Sequence, residues 1–203
     1  MIELLASENE KDLEVFDKAV ASLVKILREK EAFYFPHAVN VMHLATRIGQ
    51  EMSMSQMELE NLALAALLHD VGKVAIQTSI LNKSTALSEE EYEIIKSHTV
   101  FGDDILSGVN RLGEVRPIIR AHHERWDGKT EGRWPGYPDG LSGEHIPLES
   151  RIIKLADMYD ALTADRPYHP AQSREDALAE IQRERGKSLD PNVVDIFLKQ
   201  EAE

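Results

Sequence analysis

A histidine and an aspartate, His69 and Asp70, stand side by side where a long apolar stretch ends. The apolar residues from Leu62 onward follow helical spacing, so His69 should project from the apolar face of a helix and Asp70 should lie at its edge. An imidazole nitrogen and a carboxylate oxygen placed in this way can bind two hard cations at once. A His-Asp pair alone is more often a capped helix end, so this interpretation depends on further ligands elsewhere in the chain.

Gly72 and Lys73 come two and three residues after Asp70. Glycine allows the backbone to turn sharply, which keeps the Lys73 ammonium within reach of the point where His69 and Asp70 converge. An ammonium there suits an anionic substrate group.

Five more residues of the same two chemical types lie on predicted inward helical faces or at predicted loop anchors: His37, His98, His122, His123 and Asp157. Any one of them alone is more often a core or capping residue. Burying the whole set without a shared purpose would cost about 1 to 3 kcal/mol for each unpaired ring, whereas a metal cluster satisfies all of them. Imidazole and carboxylate without thiolate suit iron, manganese or other first-row ions, and Asp70 is the natural bridging ligand of a dinuclear site.

Composition narrows the function classes. The chain has 203 residues with 42% hydrophobic content, which fits one domain of catalytic size. It has no cysteine, which excludes disulfides, zinc-thiolate sites and thiol nucleophiles. The net charge of -13 argues against binding a nucleic-acid polymer, but a small anion held by metal ions remains compatible with it.

No segment resembles a membrane span or a signal peptide. The longest unbroken apolar run, Leu62 to Leu68, is too short to cross a bilayer, and Met1 to Glu10 lacks a basic start and an apolar middle. We therefore expect a cytoplasmic protein that does not contact a membrane.

Helical periodicity and capping signals predict an all-α fold, with no alternating strand pattern and no internal repeat. A helical segment within residues 1–30 should pack on, or lead into, a catalytic domain over residues 31–203. The predicted helices of the first half are an amphipathic one from Lys11 to Lys30, one from near Pro36, one capped by Ser55 and Glu58, and one capped by Ser88 and Glu91 that carries Ile94, His98, Phe101 and Ile105 on one stripe. Those of the second half are one from Arg116 to Arg125, one from Pro147 with one or both of Asp157 and Asp160 facing inward, and two closing helices capped by Ser173 and Asp190.

A Gly- and Pro-rich loop interrupts this helical pattern from Asp127 to Pro147. Trp126, Trp134 and Tyr137 lie in or beside it. Loops of this length are usually functional or disordered, and the aromatic residues argue against disorder.

Five motifs together resemble the HD-GYP family of metal-dependent phosphohydrolases, within the wider HD superfamily, from about Phe33 to Leu198. They are His69-Asp70-Val71-Gly72-Lys73, His98 in its helix, His122-His123-Glu124-Arg125-Trp126-Asp127-Gly128, Gly136-Tyr137-Pro138-Asp139-Gly140-Leu141, and Asp157 through Asp160-Ala161-Leu162-Thr163 to Arg166-Pro167-Tyr168. The resemblance implies an all-α HD-domain bundle with a long Gly- and Pro-rich loop near the metal site. It also implies hydrolysis of cyclic di-GMP to linear pGpG, to GMP or to both.

The same resemblance implies roles for individual residues. One of two metal ions, iron or manganese, would be held by His37, His69, Asp70 and Asp157, and the other by Asp70, His98, His122 and His123. A hydroxide bridging the two ions would be the nucleophile. Lys73 would stabilise the transition state, Arg166 would clamp a phosphate, and Tyr137 would contact the substrate. Without the motifs, a surface or packing role would be the commoner explanation for these last three residues.

Three positions depart from the family pattern. Phe33 lies one turn before His37, where members with a third metal carry a glutamate, so we expect two metal ions per chain. Residues Lys129 to Trp134 form an insertion beside Tyr137. His169 stands where a basic residue is common, so we expect a weakened or pH-dependent substrate phosphate contact there.

Two other functions stay open from the sequence. One is a non-catalytic module that binds cyclic di-GMP or a partner protein, and the other is an HD hydrolase for a different nucleotide phosphoester. The retained ligand set disfavours the first, and the intact Gly136-Tyr137-Pro138 motif disfavours the second. A GGDEF-type or other signalling protein is a candidate partner, and an oligomer is compatible with the sequence.

Overall fold

A computed structural model describes residues 10–30, 34–132, 135–165 and 171–202. Within these ranges the chain forms helices and turns, with one isolated bridge between Arg185 and Leu189, which confirms the all-α prediction. The helices are α1 Glu10–Lys30, α2 Tyr34–Glu51, α3 Gln56–Leu68, α4 Thr78–Leu81, α5 Glu89–Lys96, α6 His98–Leu106, α7 Val115–Ala121, α8 Leu148–Thr163, α9 Arg174–Glu184 and α10 Pro191–Ala202.

The predicted capping signals start helices where expected. Ser55 and Ser88 both form complete capping boxes, in which the serine side chain accepts from the backbone three residues on and the glutamate there accepts from the serine backbone. The Ser173 side chain caps α9 by accepting from the Asp176 backbone N–H, and Pro147 precedes α8. Local side-chain chemistry therefore sets these helix starts.

Two predicted helices end earlier than expected. The helix capped by Ser88 breaks at Ser97 into α5 and α6, and Ile94 is 41% exposed, so its predicted place on the inward stripe was wrong. The Ser97 hydroxyl donates to the Ile94 carbonyl at this break. Helix α7 ends at Ala121, so His122 and His123 follow the helix instead of lying inside it.

Helix α2 is central to the packing, because it lies against both α3 and α8, while α3 also packs against α7. The shared core is apolar and includes Val41, Leu62, Ile153 and Phe197, all fully buried. Helix α1 joins this core through Leu27. This arrangement brings the C-terminal end of α3 to the middle of the molecule, beside α2, α7 and α8.

A short turn, Val71–Ala75, follows α3 and packs against α6. Its closest approach is at Gly72, where an added Cβ atom would lie 1.8 Å from the His98 carbonyl oxygen and 2.6 Å from the Gly102 backbone nitrogen. Only a residue without a side chain fits between these backbones. Gly72 thus brings the turn after Asp70 against the first turn of α6, which begins at His98.

Among the described helices, none combines the length and the apolar character that a bilayer span requires.

Candidate metal centre

Three histidines lie at helix boundaries, and a backbone carbonyl three residues earlier orients each ring. His69, His98 and His122 follow α3, α5 and α7, and the Nδ1 atom of each lies 2.6 to 2.8 Å from the carbonyl oxygen three residues earlier. A carbonyl oxygen can only accept, so Nδ1 carries the hydrogen in all three rings. The Nε2 lone pair of each ring is therefore available to a metal ion.

His37 reaches the same region from α2 and is oriented by a carboxylate. Its Nδ1 lies 2.6 Å from Asp160 Oδ2, and the other Asp160 oxygen accepts from Asn40 Nδ2 at 2.9 Å. The Nε2 atom of His37 lies 3.2 Å from Asp157 Oδ1. An imidazole held by a carboxylate at one nitrogen, with the other nitrogen beside a second carboxylate, is a common arrangement of a metal-bound histidine.

The ligand atoms fall into two groups, each able to hold a metal ion. His37, His69 and Asp70 form one group, and His98, His122 and His123 form the other, with the ligand atoms of each group within 4.8 Å of one another. The Nε2 atoms of His98 and His122 are 3.4 Å apart.

Asp70 belongs to the first group and also reaches the second. One carboxylate oxygen is 3.3 Å from His69 Nε2 and the other is 3.3 Å from His98 Nε2. Burial raises the pKa of the Asp70 carboxyl, but Lys73, His69 and His98 outweigh this effect and hold the pKa well below its usual range. Asp70 is therefore a carboxylate with one oxygen toward each group, the geometry that a bridging ligand needs.

The electrostatics of the other ligands are also those of metal ligands. Burial lowers the pKa of His98, and that of His122 and His123 much further, so these rings are neutral at neutral pH. Burial raises the pKa of Asp157, but the hydrogen bond from His37 reverses this effect and leaves the pKa far below its usual range. Neutral imidazoles and ionised carboxylates are the forms that bind cations.

His37 differs from the other rings. Burial lowers its pKa, but hydrogen bonds to Asp157 and Asp160 raise it to about 9 in the absence of a metal ion. A metal ion at Nε2 would replace the proton that His37 shares with Asp157.

One buried atom tests whether a metal ion fits here. His69 Nε2 is fully buried and makes no hydrogen bond, because the ring hydrogen is on Nδ1 and the nearby Asp70 Oδ2 is also an acceptor. A buried polar atom without a partner is costly, and coordination to a cation removes that cost. The residues therefore fit a metal ion.

Two predicted substrate residues lie beside the ligands. The Lys73 ammonium is 2.8 Å from Asp70 Oδ2, as the spacing predicted. The Tyr137 ring stacks on His123, with centroids 4.7 Å apart and planes 28° apart. Burial raises the pKa of Tyr137 well above its usual value, so its hydroxyl stays protonated and can donate.

The loop that carries Tyr137 is fastened to the residue after the two adjacent histidines. Glu124 Oε1 accepts from the Asp139 and Gly140 backbone N–H groups at 2.6 and 3.0 Å. The predicted insertion begins at Lys129, whose carbonyl accepts from the Gly136 backbone at 2.8 Å and closes the excursion. A backbone hydrogen bond between Gly136 and Lys129 therefore anchors the chain immediately before Tyr137.

Sequence reasoning missed several supporting residues. Glu124 was part of a quoted motif but received no role, and Asn40 and Lys154 received none either. The Lys154 ammonium donates to the His123 carbonyl at 3.0 Å. Periodicity could have placed Asn40 one turn from His37, whereas no local pattern signals Lys154.

The remaining expectations lie outside the described residues. Phe33, Trp134, Arg166 and His169 belong to this group. Their roles stay predictions, as do the assignments of the individual metal ligands.

Comparison with known proteins identifies the family. A sequence model of the HD domain family matches residues 21–193. The chain is 38% identical over 202 residues to the cyclic di-GMP phosphodiesterase response regulator RpfG of Xanthomonas campestris pv. campestris, covering 98% of this chain and 52% of that protein. It is also 38% identical over 208 residues to a cyclic di-GMP phosphodiesterase of Thermotoga maritima, covering 100% of this chain and 54% of that protein.

A solved structure shows the same fold. The cyclic GMP-AMP specific phosphodiesterase V-cGAP3 of Vibrio cholerae superposes with a TM-score of 0.64 at 21% identity, covering 89% of this chain and 49% of that chain. The chain spans about half the length of the two curated relatives. The chain belongs to the HD domain family, which confirms the resemblance that its motifs indicated.

Proposed function

We propose that this chain is a metal-dependent phosphodiesterase that hydrolyses cyclic di-GMP to linear pGpG, to GMP or to both. The observation that carries the proposal is the position of Asp70. One of its carboxylate oxygens faces His69 in the first group, and the other faces His98 in the second group. The names of the relatives supply the substrate class. Both are cyclic di-GMP phosphodiesterases that this chain matches over nearly its whole length.

Two divalent ions, iron or manganese, would occupy the centre. His37, His69, Asp70 and Asp157 would hold one ion, and Asp70, His98, His122 and His123 the other. Nitrogen and oxygen ligands without thiolate suit these metals. Two such ions supply a nucleophile at neutral pH and neutralise the oxygens of a phosphodiester during in-line displacement.

The protein's own groups complete the site. Lys73 places an ammonium beside Asp70, where it can stabilise charge that develops on the scissile phosphate. Tyr137 stands over His123 with a protonated hydroxyl that can donate to the substrate. Asp160 holds the His37 ring so that Nε2 faces the centre. Arg166 as a phosphate clamp and His169 as a pH-dependent substrate contact remain sequence-based parts of the proposal.

A second substrate within the same class is favoured by one observation. The V. cholerae protein that shares this fold is specific for cyclic GMP-AMP. Cyclic GMP-AMP is therefore the alternative substrate that the experiment should include.

The decisive experiment is anaerobic incubation of the purified chain with iron(II) or manganese(II) and each cyclic dinucleotide, with products separated by chromatography. Bis(p-nitrophenyl) phosphate, a phosphodiester without bases, serves as a parallel substrate for the metal centre. We expect linear pGpG or GMP from cyclic di-GMP. Cleavage of the nitrophenyl ester without cleavage of any cyclic dinucleotide would assign a different substrate. Full metal occupancy without any hydrolysis would assign a non-catalytic module.

A further inference from the structure

A row of aromatic and cationic side chains leads outward from the metal centre. It begins at His123, on which Tyr137 stacks at 4.7 Å. The Lys96 ammonium lies 5.8 Å from the Tyr137 ring centroid and 5.6 Å from that of Tyr92. Lys96 thus stands between two tyrosine rings, with Tyr92 at the outer end of the row.

The outer end is held rigidly but remains accessible. Tyr92 and Lys96 lie one turn apart on α5, whose first turn is fixed by the Ser88 capping box and by an ion pair between Lys83 and Glu91. The Tyr92 residue is 37% exposed, whereas the Lys96 side chain is 18% exposed. Lys96 also pairs with Glu93, which balances its charge without occupying all three of its donor hydrogens.

This combination matches the chemistry of a guanine base. An aromatic face stacks on any nucleobase, whichever edge the base presents. A lysine beside that face adds selectivity, because guanine offers the two acceptors O6 and N7 on one edge, whereas adenine places an amino donor where guanine has O6.

We propose that Tyr92 and Lys96 form a guanine-binding subsite, in which Tyr92 stacks on the base and Lys96 donates to O6. The subsite rests on the proposed function, because it takes one base of a cyclic dinucleotide whose phosphate lies at the metal centre. The row begins at the candidate metal ligand His123 and runs outward to Tyr92 in steps of 4.7, 5.8 and 5.6 Å, so it offers a path from the centre to an accessible base site. The subsite therefore selects guanine-containing cyclic dinucleotides over cyclic di-AMP.

Three variants and one matched control test the subsite. Tyr92→Ala removes the stacking face, Tyr92→Phe keeps it, and Lys96→Met removes the donor while keeping a long side chain. Ile94→Ala is the control, because Ile94 is exposed on the same short helix and lies outside the row. Each variant is assayed with cyclic di-GMP, cyclic di-AMP and bis(p-nitrophenyl) phosphate. Binding of a non-hydrolysable phosphorothioate analogue of cyclic di-GMP is measured by calorimetry.

We expect Tyr92→Ala to raise the KM for cyclic di-GMP and the Kd of its analogue by about tenfold, the size of one lost base stack. Tyr92→Phe should stay near the wild type. Lys96→Met should reduce the preference for cyclic di-GMP over cyclic di-AMP by about tenfold, since one discriminating contact is lost. Ile94→Ala should change none of these values.

The proposal is overturned if Tyr92→Ala and Lys96→Met behave like Ile94→Ala. It is also overturned if they lower hydrolysis of the nitrophenyl ester as much as that of cyclic di-GMP, because the residues would then act on the metal centre and not on a base. Failure of the proposed function looks different, since the wild type would then cleave only the nitrophenyl ester. Tyr92-dependent binding of the analogue by such a protein would still support the subsite, and an absence of binding would overturn it.

Discussion

Asp70 contacts ligands of both groups, because its two carboxylate oxygens face different histidines. Replacing it by asparagine keeps the shape of the side chain but removes the charge and turns one oxygen into a donor. We expect Asp70→Asn to lose most bound metal, and to lower turnover by at least about a thousandfold, as removal of a central catalytic group does. Metal content by mass spectrometry and product formation by chromatography measure both effects.

Asp195→Asn is the matched control, because Asp195 forms an exposed ion pair with Arg185 and is not a candidate metal ligand. It should behave as the wild type. Full metal occupancy and normal turnover in Asp70→Asn would contradict the assignment of Asp70.

Asp160 acts on the centre through another residue. It holds His37 Nδ1 at 2.6 Å and is itself held by Asn40. Asp160→Asn should weaken metal binding by about ten- to a hundredfold, because partners of metal-bound histidines orient the ring and raise its basicity. Metal titration by calorimetry gives the affinity, and Asp103→Asn, which removes a surface partner of Arg116, is the control. An unchanged affinity in Asp160→Asn would show that His37 needs no such support.

At the scale of helices, the sequence predicted the first residues of helices better than their last residues. Starts depend on local capping chemistry, which Ser55, Ser88 and Ser173 display within four residues. The ends of α5 and α7 depend on tertiary context, because His98 and His122 turn their rings back onto the preceding carbonyls and face a shared centre. The inward direction of His98 was therefore predictable from spacing, whereas the position of both rings at helix boundaries was not.

The close packing of Gly72, in the turn after α3, leads to a prediction about stability. An added Cβ atom would overlap the His98 carbonyl and the Gly102 backbone, neither of which can move as a flexible side chain could. We expect Gly72→Ala to lower the free energy of unfolding by about 3 kcal/mol, toward the upper end of overpacking effects, and to weaken metal binding. Thermal and denaturant unfolding would measure the loss of stability.

Gly108→Ala is the control, because nothing lies within 4 Å of an added Cβ atom there. If both alanine variants were equally stable, the close approach of Gly72 to α6 would be wrong.

At the scale of the whole molecule, the negative net charge of the chain explains why binding an anionic substrate would need metal ions. The chain carries a net charge of -13, and its proposed substrate is also an anion. Binding the substrate therefore requires local positive charge, which metal ions in the centre supply by reversing the field there. The acidic composition was informative from the sequence, since it argued against binding of a nucleic-acid polymer while leaving a metal-held small anion open.

Metal stoichiometry is a prediction that the sequence makes on its own. Phe33 lies four residues before His37 in the sequence, and its side chain offers no lone pair to a third cation. We expect elemental analysis of protein purified without chelators to give two ions per chain, and Phe33→Glu to raise the number toward three. Phe33→Leu should leave it at two. A third ion in the wild-type protein would refute this expectation.

Stability should depend on pH through Lys154. Burial lowers its pKa from 10.5 to about 8, against the opposing effect of Asp157. Between these values the unfolded chain binds more protons than the folded one, so the free energy of unfolding rises with pH across this window. Lys154→Met should abolish about 3 kcal/mol of that rise, while its free energy of unfolding should differ from that of the wild type by a constant well below pH 8.

Urea unfolding of both proteins at several pH values between 7 and 10.5, with a chelator present, measures the difference in slope. Parallel curves for the two proteins would show that Lys154 titrates alike in the folded and unfolded chain.

The contact at Gly72 has a consequence for how the centre fills. The turn behind Asp70 and the first turn of α6 touch backbone to backbone, so Asp70 and His98 cannot shift independently. We therefore expect an ion that orders the candidate ligands on one side to order those on the other, so that two ions would raise each other's affinity by the same factor. Partly loaded molecules would then be scarce, and the metal content would rise from none to full over a narrow range of free ion.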